Sequence, residues 1–544
     1  MNKLNAQKLQ TYVLVFILLI GAILRFYNLD WGQGYFFHPD ENNIASLALS
    51  LDKNQTNFWT QGTFSYGTSL TYLSFFIRKG IQQTSLCTAD FPCQILILRS
   101  LSALFSVLTI YFSYLTAKFL FNKKAGFLVL VLVAFSPGLI QSAHFGTFES
   151  ALTLLYLIIF YLSLKIIRSG NLIYVFFTSV FIAISGSLKI NSLLLLPIPT
   201  LSLFLHLFVP KWSKSAFKIK GLFLSIAISL ITFPIIILLS PYYLTQNFHN
   251  MFAYERGVVS GSLDVFYTRQ FFGTDPLFPL THILPYITNP FLIVFCLFFL
   301  VLAIFRPCKE KTLLALFILI LFLPNALFFT KWTRYFIPLI PFLALTVPFV
   351  YKSATKINNL MRVILTLTIL LSIFQGIAFF SIYWRSDSRI TASRWISQNI
   401  PSSETILNET GNVVDIPFEA QKMIVFDFYN LDFNPALKGQ LLSDLEKSEY
   451  ILIPSRRLFM DMGRFPNKYP LLSKYYQLLF NGNLGFHQIK ELHSYPSFEA
   501  NGLGIEFPDE RAEETWTVFD HPVIRVFKKT KQLTQGEYNR LLEN

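Results

Sequence analysis

Charged residues are scarce in this chain of 544 residues, at 14% of the total, whereas soluble globular proteins carry about a quarter. This scarcity excludes an ordinary soluble domain. In their place stand 53% hydrophobic residues, among them 59 phenylalanines, which predicts a polytopic membrane protein. The net charge of +14 is spread over short loops between apolar runs. It therefore indicates membrane topology rather than a nucleic-acid partner.

A cleavage site is also missing. The first apolar run is too long for a typical signal peptide, and no small-residue cleavage motif follows it, so we interpret it as a retained first span. No convincing internal repeat is present, which counts against transporter folds built from inverted repeats. Cysteines number only four. Cys87 and Cys93 stand in the polar loop "CTADFPC", and an external position would favour a disulfide between them.

Long apolar segments dominate the first 384 residues. Each has roughly the 20 residues that a membrane helix requires, and lysines and arginines concentrate in alternate loops. This asymmetry predicts a cytoplasmic N-terminus in the plasma membrane and, with an odd number of spans, an external C-terminal region. The predicted spans, about eleven, are 11–29, 95–120, 125–142, 149–168, 171–186, 191–209, 221–240, 288–305, 313–329, 336–350 and 363–382.

Two domains are predicted. Residues 1–384 form the membrane module, with external loops at about 30–94 and 241–287, and residues 385–544 form an extracytoplasmic α/β domain. Within the latter, "RITASRWISQNIP" predicts an amphipathic helix, and further helices are expected near 437–447 and 468–480. Short buried strands are predicted for "TILNE", "KMIVFDF", "EYILIPS" and "VIRVFKK".

The stretch "GYFFHPDEN" places His38, Asp40 and Glu41 directly after the first span. Pro39 breaks the preceding helix and favours an extended residue before it. One interpretation is structural, with Asp40 capping the next helix and Glu41 complementing its dipole. The other is catalytic, because two carboxylates at the membrane surface could serve as a base toward an acceptor hydroxyl.

Further polar residues favour the catalytic interpretation. They occur at the predicted outer ends of spans, in loops too short to be ordinary solvated surfaces. Placing a charge so close to the apolar region costs free energy, which suggests that these residues have a function. Lysines there could instead snorkel from helix ends. Cations suit an anionic phosphate leaving group, which indicates transfer from a lipid-phosphate donor. The candidate substrate-binding residues are His38, His144, Glu149, Lys189, Arg256, Arg269, Lys331 and Arg334.

Several motifs resemble the membrane glycosyltransferases of the GT-C class, in particular prokaryotic protein-mannosyltransferase-like and aminoarabinose-transferase-like enzymes. They are "FFHPDE", "SAHFGTFESALTLL", "GSLKINSLLLLPIP", "SPYYLTQNFHNMFAYERG", "YTRQFFGTDP" and "TKWTRYFIPLIPFLAL". The resemblance implies inverting transfer of a sugar from a polyprenyl-phosphate donor to a hydroxyl of a protein, lipid or glycan on the extracytoplasmic face. Asp40 matches the acidic residue of the first external loop, with Glu41 beside it; relatives often carry Asp where this chain has Glu149.

Some members of this class use a divalent metal. His38, Glu41 and His144 could ligate one, but their spacing is not that of a tight metal site, so no metal is assigned and a divalent cation stays an open alternative. Two other functions remain as alternatives. A transporter or lipid-linked-sugar flippase would place ionisable residues near mid-span, and a surface-polysaccharide ligase or polymerase would share the lipid-phosphate chemistry.

Overall fold

The computed structural model describes residues 3–53, 58–62, 64–83, 90–208, 216–353, 358–409, 416–417, 422–500 and 503–543. The chain divides into two compact units. The first comprises residues 1–29, 40–260 and 275–380, and the second comprises 30–39, 261–274 and 381–544. Cys87 lies outside the described residues, so its disulfide with Cys93 stays a prediction.

The first unit is helical throughout its described residues. The two long loops predicted for the outer face are themselves largely helical. The helices are α1 (Lys3–Phe26), α2 (Pro39–Ser50), α3 (Ser69–Gln82), α4 (Phe91–Leu120), α5 (Lys123–Ala134), α6 (Pro137–His144), α7 (Glu149–Ser169), α8 (Leu172–Leu188), α9 (Ile198–Phe208), α10 (Ala216–Ser229), α11 (Thr232–Leu239), α12 (Gln246–Ser260), α13 (Phe278–His282), α14 (Leu284–Ile287), α15 (Pro290–Phe305), α16 (Lys309–Leu327), α17 (Ile340–Ser353) and α18 (Asn358–Trp384), which continues into the second unit.

Membrane spans are well represented among these helices. In the described residues, eight helical segments are long and apolar enough to cross a membrane, and the bent pair α5 and α6 would make a ninth. Two shorter apolar helices, α8 and α15, coincide with two further predicted spans. A multi-pass helical membrane protein is thus confirmed, whereas the count of eleven stays a prediction.

A break interrupts the segment 125–142, which was predicted as one span. The axes of α5 and α6 differ by 56°, because Pro137 cannot continue the hydrogen-bond ladder of α5. The carbonyl groups of Val133 and Ala134 at the break accept hydrogen bonds from the fully buried Arg25 guanidinium, at 3.2 and 2.9 Å. Arg25 also donates to Ser106 Oγ at 2.7 Å. This buried cation therefore satisfies backbone groups that the break exposes.

The second unit contains a five-stranded mixed sheet in the order β2-β1-β3-β7-β4. The pairs β1–β2 and β1–β3 are parallel, and the pairs β3–β7 and β7–β4 are antiparallel. Its elements are α19 (Ser388–Asn399), β1 (Thr405–Glu409), β2 (Lys422–Phe426), α20 (Pro435–Lys447), β3 (Tyr450–Ile453), α21 (Arg457–Asp461), α22 (Pro470–Phe480), β4 (Phe486–Leu492), β5 (Ser497–Ala500), β6 (Leu503–Glu506), α23 (Glu514–Thr517), β7 (Ile524–Lys529) and α24 (Gln535–Glu543).

Helices cover both faces of this sheet. Ile406 belongs to an apolar cluster with Ile396 of α19, whereas the next residue, Leu407, belongs to a cluster with Leu441 of α20 and Tyr475 of α22. Because successive strand residues point to opposite faces, a strand covered on both sides reads as a continuous apolar run. The predicted C-terminal domain with its four strands is therefore confirmed as a sheet-containing domain.

Buried ionic groups stabilise the C-terminal part of the second unit. His521 is fully buried between Asp520, 2.5 Å from its Nδ1, and Asp509, 3.0 Å from its Nε2. Burial disfavours the imidazolium, but the two carboxylates outweigh burial and raise the pKa of His521 to about 10. Trp516 Nε1 donates to Asp509 Oδ2 at 2.9 Å. These contacts support a folded, structural role for the "EETWTVFDH" segment.

Candidate functional site

Asp40 and Arg334 form an ion pair in the first unit. Asp40 lies in the first turn of α2, and Arg334 lies in Thr333–Tyr335, the first of two short 3₁₀ turns that precede α17. Arg334 Nη1 donates to Asp40 Oδ2, and both side chains are about a quarter exposed. Arg334 Nε is buried and has no hydrogen-bond partner among the described residues. The guanidinium therefore retains a donor for a further anion.

Glu41 is placed differently from its neighbour Asp40. It is fully buried and accepts hydrogen bonds from Arg99 Nε at 3.0 Å, from Arg99 Nη2, and from the backbone N–H of Gly146 at 2.8 Å. A Cβ at position 146 would lie 2.7 Å from Leu98 Cβ and 3.3 Å from Glu41 Oε2, so glycine permits this close approach. The geometry favours Glu41 as a positioning residue that ties α2 to α4 and to the loop before α7.

Glu149 is the first residue of α7 and is only 5% exposed. Its position at a helix N-terminus suits a carboxylate, because the helix dipole favours negative charge there. Among the described residues, no side-chain hydrogen bond or ion pair engages this carboxylate. Glu149 lines a cavity of about 410 Å³, so a polar ligand group in that cavity could meet it.

Lys189 caps the C-terminal end of α8, where the chain turns extended before the 3₁₀ turn Ile190–Leu195. Its Nζ lies 4.4 Å from the centroid of the Tyr335 ring and 5.4 Å from that of Phe148. Within the described part of the chain, no hydrogen bond or ion pair engages the ammonium, and these two aromatic faces are its nearest side-chain contacts. Burial, together with the positive charge of Arg334, lowers the pKa of Lys189 to about 8.

Two adjoining cavities share Lys189, Ile190, Asn191, Phe252, Phe328 and Tyr335 in their walls. The larger one, about 410 Å³, is mainly apolar and runs between α7, α16 and the 3₁₀ turn after Lys189. Apart from the shared residues and Glu149, it is lined by Leu152, Tyr156, Leu193, Leu194, Leu195, Ile320, Leu321, Pro324, Asn325, Arg334 and Pro338.

The smaller cavity, about 260 Å³, has a larger proportion of polar and charged residues in its wall. Beyond the shared residues it is lined by Ser65, Tyr66, Glu255, Arg256, Val259 and Ser260. Burial raises the pKa of Tyr66 well above its usual value, so its hydroxyl stays protonated and can donate a hydrogen bond. Positive and negative side chains therefore meet where an apolar cavity adjoins a polar one.

Five of the residues predicted from the sequence are thus grouped in the first unit. Asp40 pairs with Arg334, and the two cavities are lined by residues that include Glu149, Lys189 and Arg256.

His144 and Lys331 line neither of these cavities. The ring nitrogens of His144 lie 2.8 Å from the Ile140 carbonyl oxygen and 3.0 Å from that of Tyr27. Lys331 is buried and donates to the Phe329 carbonyl oxygen at 3.2 Å. These contacts favour structural roles for both side chains.

His38 and Arg269 belong to the second unit. The buried ring of His38 packs on Phe519, with 4.3 Å between ring centroids. Arg269 donates to Asp264 Oδ1 at 3.2 Å and to Met462 Sδ at 3.3 Å. The roles predicted for these two residues in substrate binding stay predictions.

A metal centre has no support in the described part of the chain, where no group of three or more His, Cys, Asp or Glu side chains is arranged to hold an ion. The carboxylate of Glu41, which the sequence offered as one ligand, is engaged by Arg99 and Gly146.

Residues 85–238 match the family of dolichyl-phosphate-mannose-protein mannosyltransferases. This match confirms the resemblance. The matched segment contains Lys189 and Glu149 but ends before Arg334. Comparison with curated protein sequences found no significant match.

Similarity to solved structures is broad but weak. ArnT from Cupriavidus metallidurans in the apo state shows 11% identity over 85% of this chain and 95% of that chain, with a TM-score of 0.46. The oligosaccharyltransferase of Archaeoglobus fulgidus in the apo form shows 14% identity over 86% of this chain and 72% of that chain, also with a TM-score of 0.46. The S. cerevisiae Pmt1-Pmt2 complex bound to the sugar donor shows 15% identity over 44% and 34%, with a TM-score of 0.36. Similarity at this level assigns neither activity nor substrate.

Arg99, Tyr66 and Tyr335 are site residues that sequence reasoning did not single out. Arg99 could have been noticed, because it is a cation within the apolar segment 95–120, whose other cation, Lys118, lies at the opposite end, and charges inside spans are costly. No sequence feature distinguished the two tyrosines, since aromatic residues are common throughout this chain.

Proposed function

We propose that the protein is an inverting glycosyltransferase of the plasma membrane. It transfers one sugar from a polyprenyl-phosphate donor to a hydroxyl of a protein, lipid or glycan acceptor on the extracytoplasmic face. The observation that carries this proposal is the position of Lys189, a half-buried cation without a hydrogen bond or ion pair among the described residues, in the wall that the two cavities share.

The apolar cavity suits the first part of a polyprenyl chain. Its wall is built largely from leucine, isoleucine, proline and phenylalanine side chains, and burying apolar ligand surface is worth roughly 25 cal/mol per Å². A lipid seated there would bring its phosphate toward Lys189 and Arg334, which both belong to the cavity wall. An ammonium and a guanidinium are well matched to phosphate oxygens.

The ion pair between Asp40 and Arg334 suggests how donor binding prepares the base. A donor phosphate competes with Asp40 for the guanidinium, and the Arg334 Nε donor supports that exchange. Release from Arg334 frees Asp40 Oδ2 to accept a hydrogen bond from the acceptor hydroxyl. Asp40 is then available to take the acceptor proton at the moment when the donor is in place.

The reaction follows from these positions. The acceptor oxygen attacks the anomeric carbon of the sugar, and the bond from that carbon to the phosphate oxygen breaks. Asp40 takes the proton of the acceptor hydroxyl. The electron pair of the broken bond leaves with polyprenyl phosphate, and Lys189 and Arg334 stabilise the charge that develops there. Attack from the face opposite the phosphate inverts the anomeric configuration.

The polar cavity suits the sugar itself. Its volume of about 260 Å³ lies just below the range of roughly 300–1,000 Å³ typical of drug-sized ligands, which favours a single sugar ring over an oligosaccharide. Glu255 and Asn191 offer acceptors and donors for sugar hydroxyls from its wall.

The test uses membranes that contain the full chain. They are incubated with labelled polyprenyl-phosphate monosaccharides, a labelled polyprenyl-linked oligosaccharide and a panel of hydroxyl acceptors. The proposal expects transfer from a monosaccharide donor and a raised donor KM for Lys189→Ala, whereas the exposed cytoplasmic-loop control Lys123→Ala keeps the wild-type KM. An absence of transfer from every lipid-phosphate donor would overturn the proposal.

A further inference from the structure

The two-stranded ribbon β5–β6 in the second unit presents an apolar face. Phe498 and Ile505 are cross-strand partners, so their side chains lie on the same face of the ribbon. The Phe507 N–H donates to the Pro496 carbonyl oxygen at 2.8 Å and continues the ladder, which places Phe507 on that face by alternation. Exposed fractions are 39% for Phe498, 60% for Ile505 and 36% for Phe507.

The opposite face of the ribbon is polar and is held by hydrogen bonds and ion pairs to other residues of the second unit. Ser497 is buried, and its N–H donates to Ser381 Oγ at 3.0 Å. Its hydroxyl lies 3.1 Å from the same Ser381 Oγ. On the paired strand, Glu506 lies 3.8 Å from Arg385 Nη1 and 3.0 Å from His493 Nε2. The ribbon is therefore held at two points next to the end of α18.

The end of α18 is also the end of a membrane span, because Asn359–Trp384 is long and apolar enough to cross a bilayer. Trp384, its last residue, is 72% exposed, and tryptophan is enriched where spans leave the hydrocarbon core. Ser381 lies within one turn of Trp384. A ribbon tied to Ser381 and Arg385 is therefore attached to the segment in which this apolar helix ends.

We propose that the apolar face of β5–β6 inserts into the membrane interface and anchors the second unit on the lipid surface. A two-stranded ribbon is at best marginally stable alone in water, and lipid contact would cover the exposed parts of Phe498, Ile505 and Phe507. Interfacial segments of this kind bury their apolar face about 5–10 Å into the boundary between headgroups and acyl chains. The proposal does not depend on the glycosyltransferase activity.

The experiment places a fluorescent probe on the ribbon of the full-length protein in lipid nanodiscs. Ile505→Cys is labelled with an environment-sensitive dye, and the lipids carry a nitroxide quencher close to the headgroup. Gln440→Cys, on the exposed surface of α20 in the same unit, is the matched control, and the labelled wild-type chain with its four native cysteines sets the background. Phe507→Cys is a second reporter on the same face.

Lipid anchoring predicts a blue-shifted emission and loss of most of the fluorescence at Ile505→Cys and Phe507→Cys, with little quenching at Gln440→Cys. Equal, weak quenching at all three positions would overturn the proposal. A blue shift without lipid quenching, together with cross-linking between protein copies through Ile505→Cys, would overturn it as well and assign the face to a second copy of the chain.

Discussion

Replacing Glu41 by glutamine separates a positioning role from a catalytic one. The exposed fractions are 0% for Glu41 and 1% for Arg99, and three charge-assisted hydrogen bonds converge on the Glu41 carboxylate. In Glu41→Gln the amide nitrogen would face a donor, and the Arg99 guanidinium would be left buried without its counter-charge. Breaking a buried ion pair in this way costs about 3–5 kcal/mol.

The assay is reversible unfolding in mixed micelles, titrated with sodium dodecyl sulfate. Glu543→Gln is the control, since it removes an ion pair with Lys438 in which Glu543 is 55% exposed, and such surface pairs contribute little to stability. The double variant Glu41→Gln/Arg99→Gln should recover part of the loss because no uncompensated charge remains. A Glu41→Gln protein with wild-type stability but no turnover would refute the positioning role and return Glu41 to the chemistry.

Three further predictions concern protonation and buried charge. The donor KM of the wild type should rise as pH increases through about 8, because Lys189 loses its proton there, whereas Lys189→Arg should show a flat profile between pH 7 and pH 9; parallel profiles would argue against a phosphate contact. Burial raises the pKa of Glu409 from 4.5 to about 8, so the folded state holds a proton that the unfolded state releases. The unfolding free energy should therefore fall as pH rises across that range, and Glu409→Gln should make the decline shallower, leaving the part that His521 contributes; an unchanged slope would contradict it. His521→Ala leaves Asp509 and Asp520 buried without their cation and should cost about 3–5 kcal/mol in thermal or chemical unfolding; a loss below about 1 kcal/mol would show that the two carboxylates are otherwise compensated.

Most of the secondary structure could be predicted from local sequence patterns. The run "TILNE" predicted a strand with the bounds of β1 because both faces of that strand are covered. β4 escaped prediction, since it is an edge strand whose central residues are exposed and which contains an irregularity between Gln488 and Lys490. The break between α5 and α6 was also missed, although Pro137 stood in the sequence, because apolar content alone does not reveal a bend.

The site was only partly predictable for a different reason. That Asp40 and Glu41 open a helix follows from the local sequence, but their opposite roles follow from partners far along the chain. Arg99 lies 58 residues from Glu41, and Arg334 lies 294 residues from Asp40. A single sequence does not specify such long-range pairings, so the neighbouring carboxylates looked equivalent.

Single-turnover sugar transfer by Asp40→Asn tests the central claim most directly. The variant is assayed at saturating donor, after its fold has been checked by unfolding against the wild type, so that donor binding does not limit the rate. Asparagine caps a helix nearly as well as aspartate but cannot accept the acceptor proton. If Asp40 is the base, the rate should fall on the order of 10²–10⁴-fold, and near wild-type turnover would contradict the account and move the search for a base to Glu149.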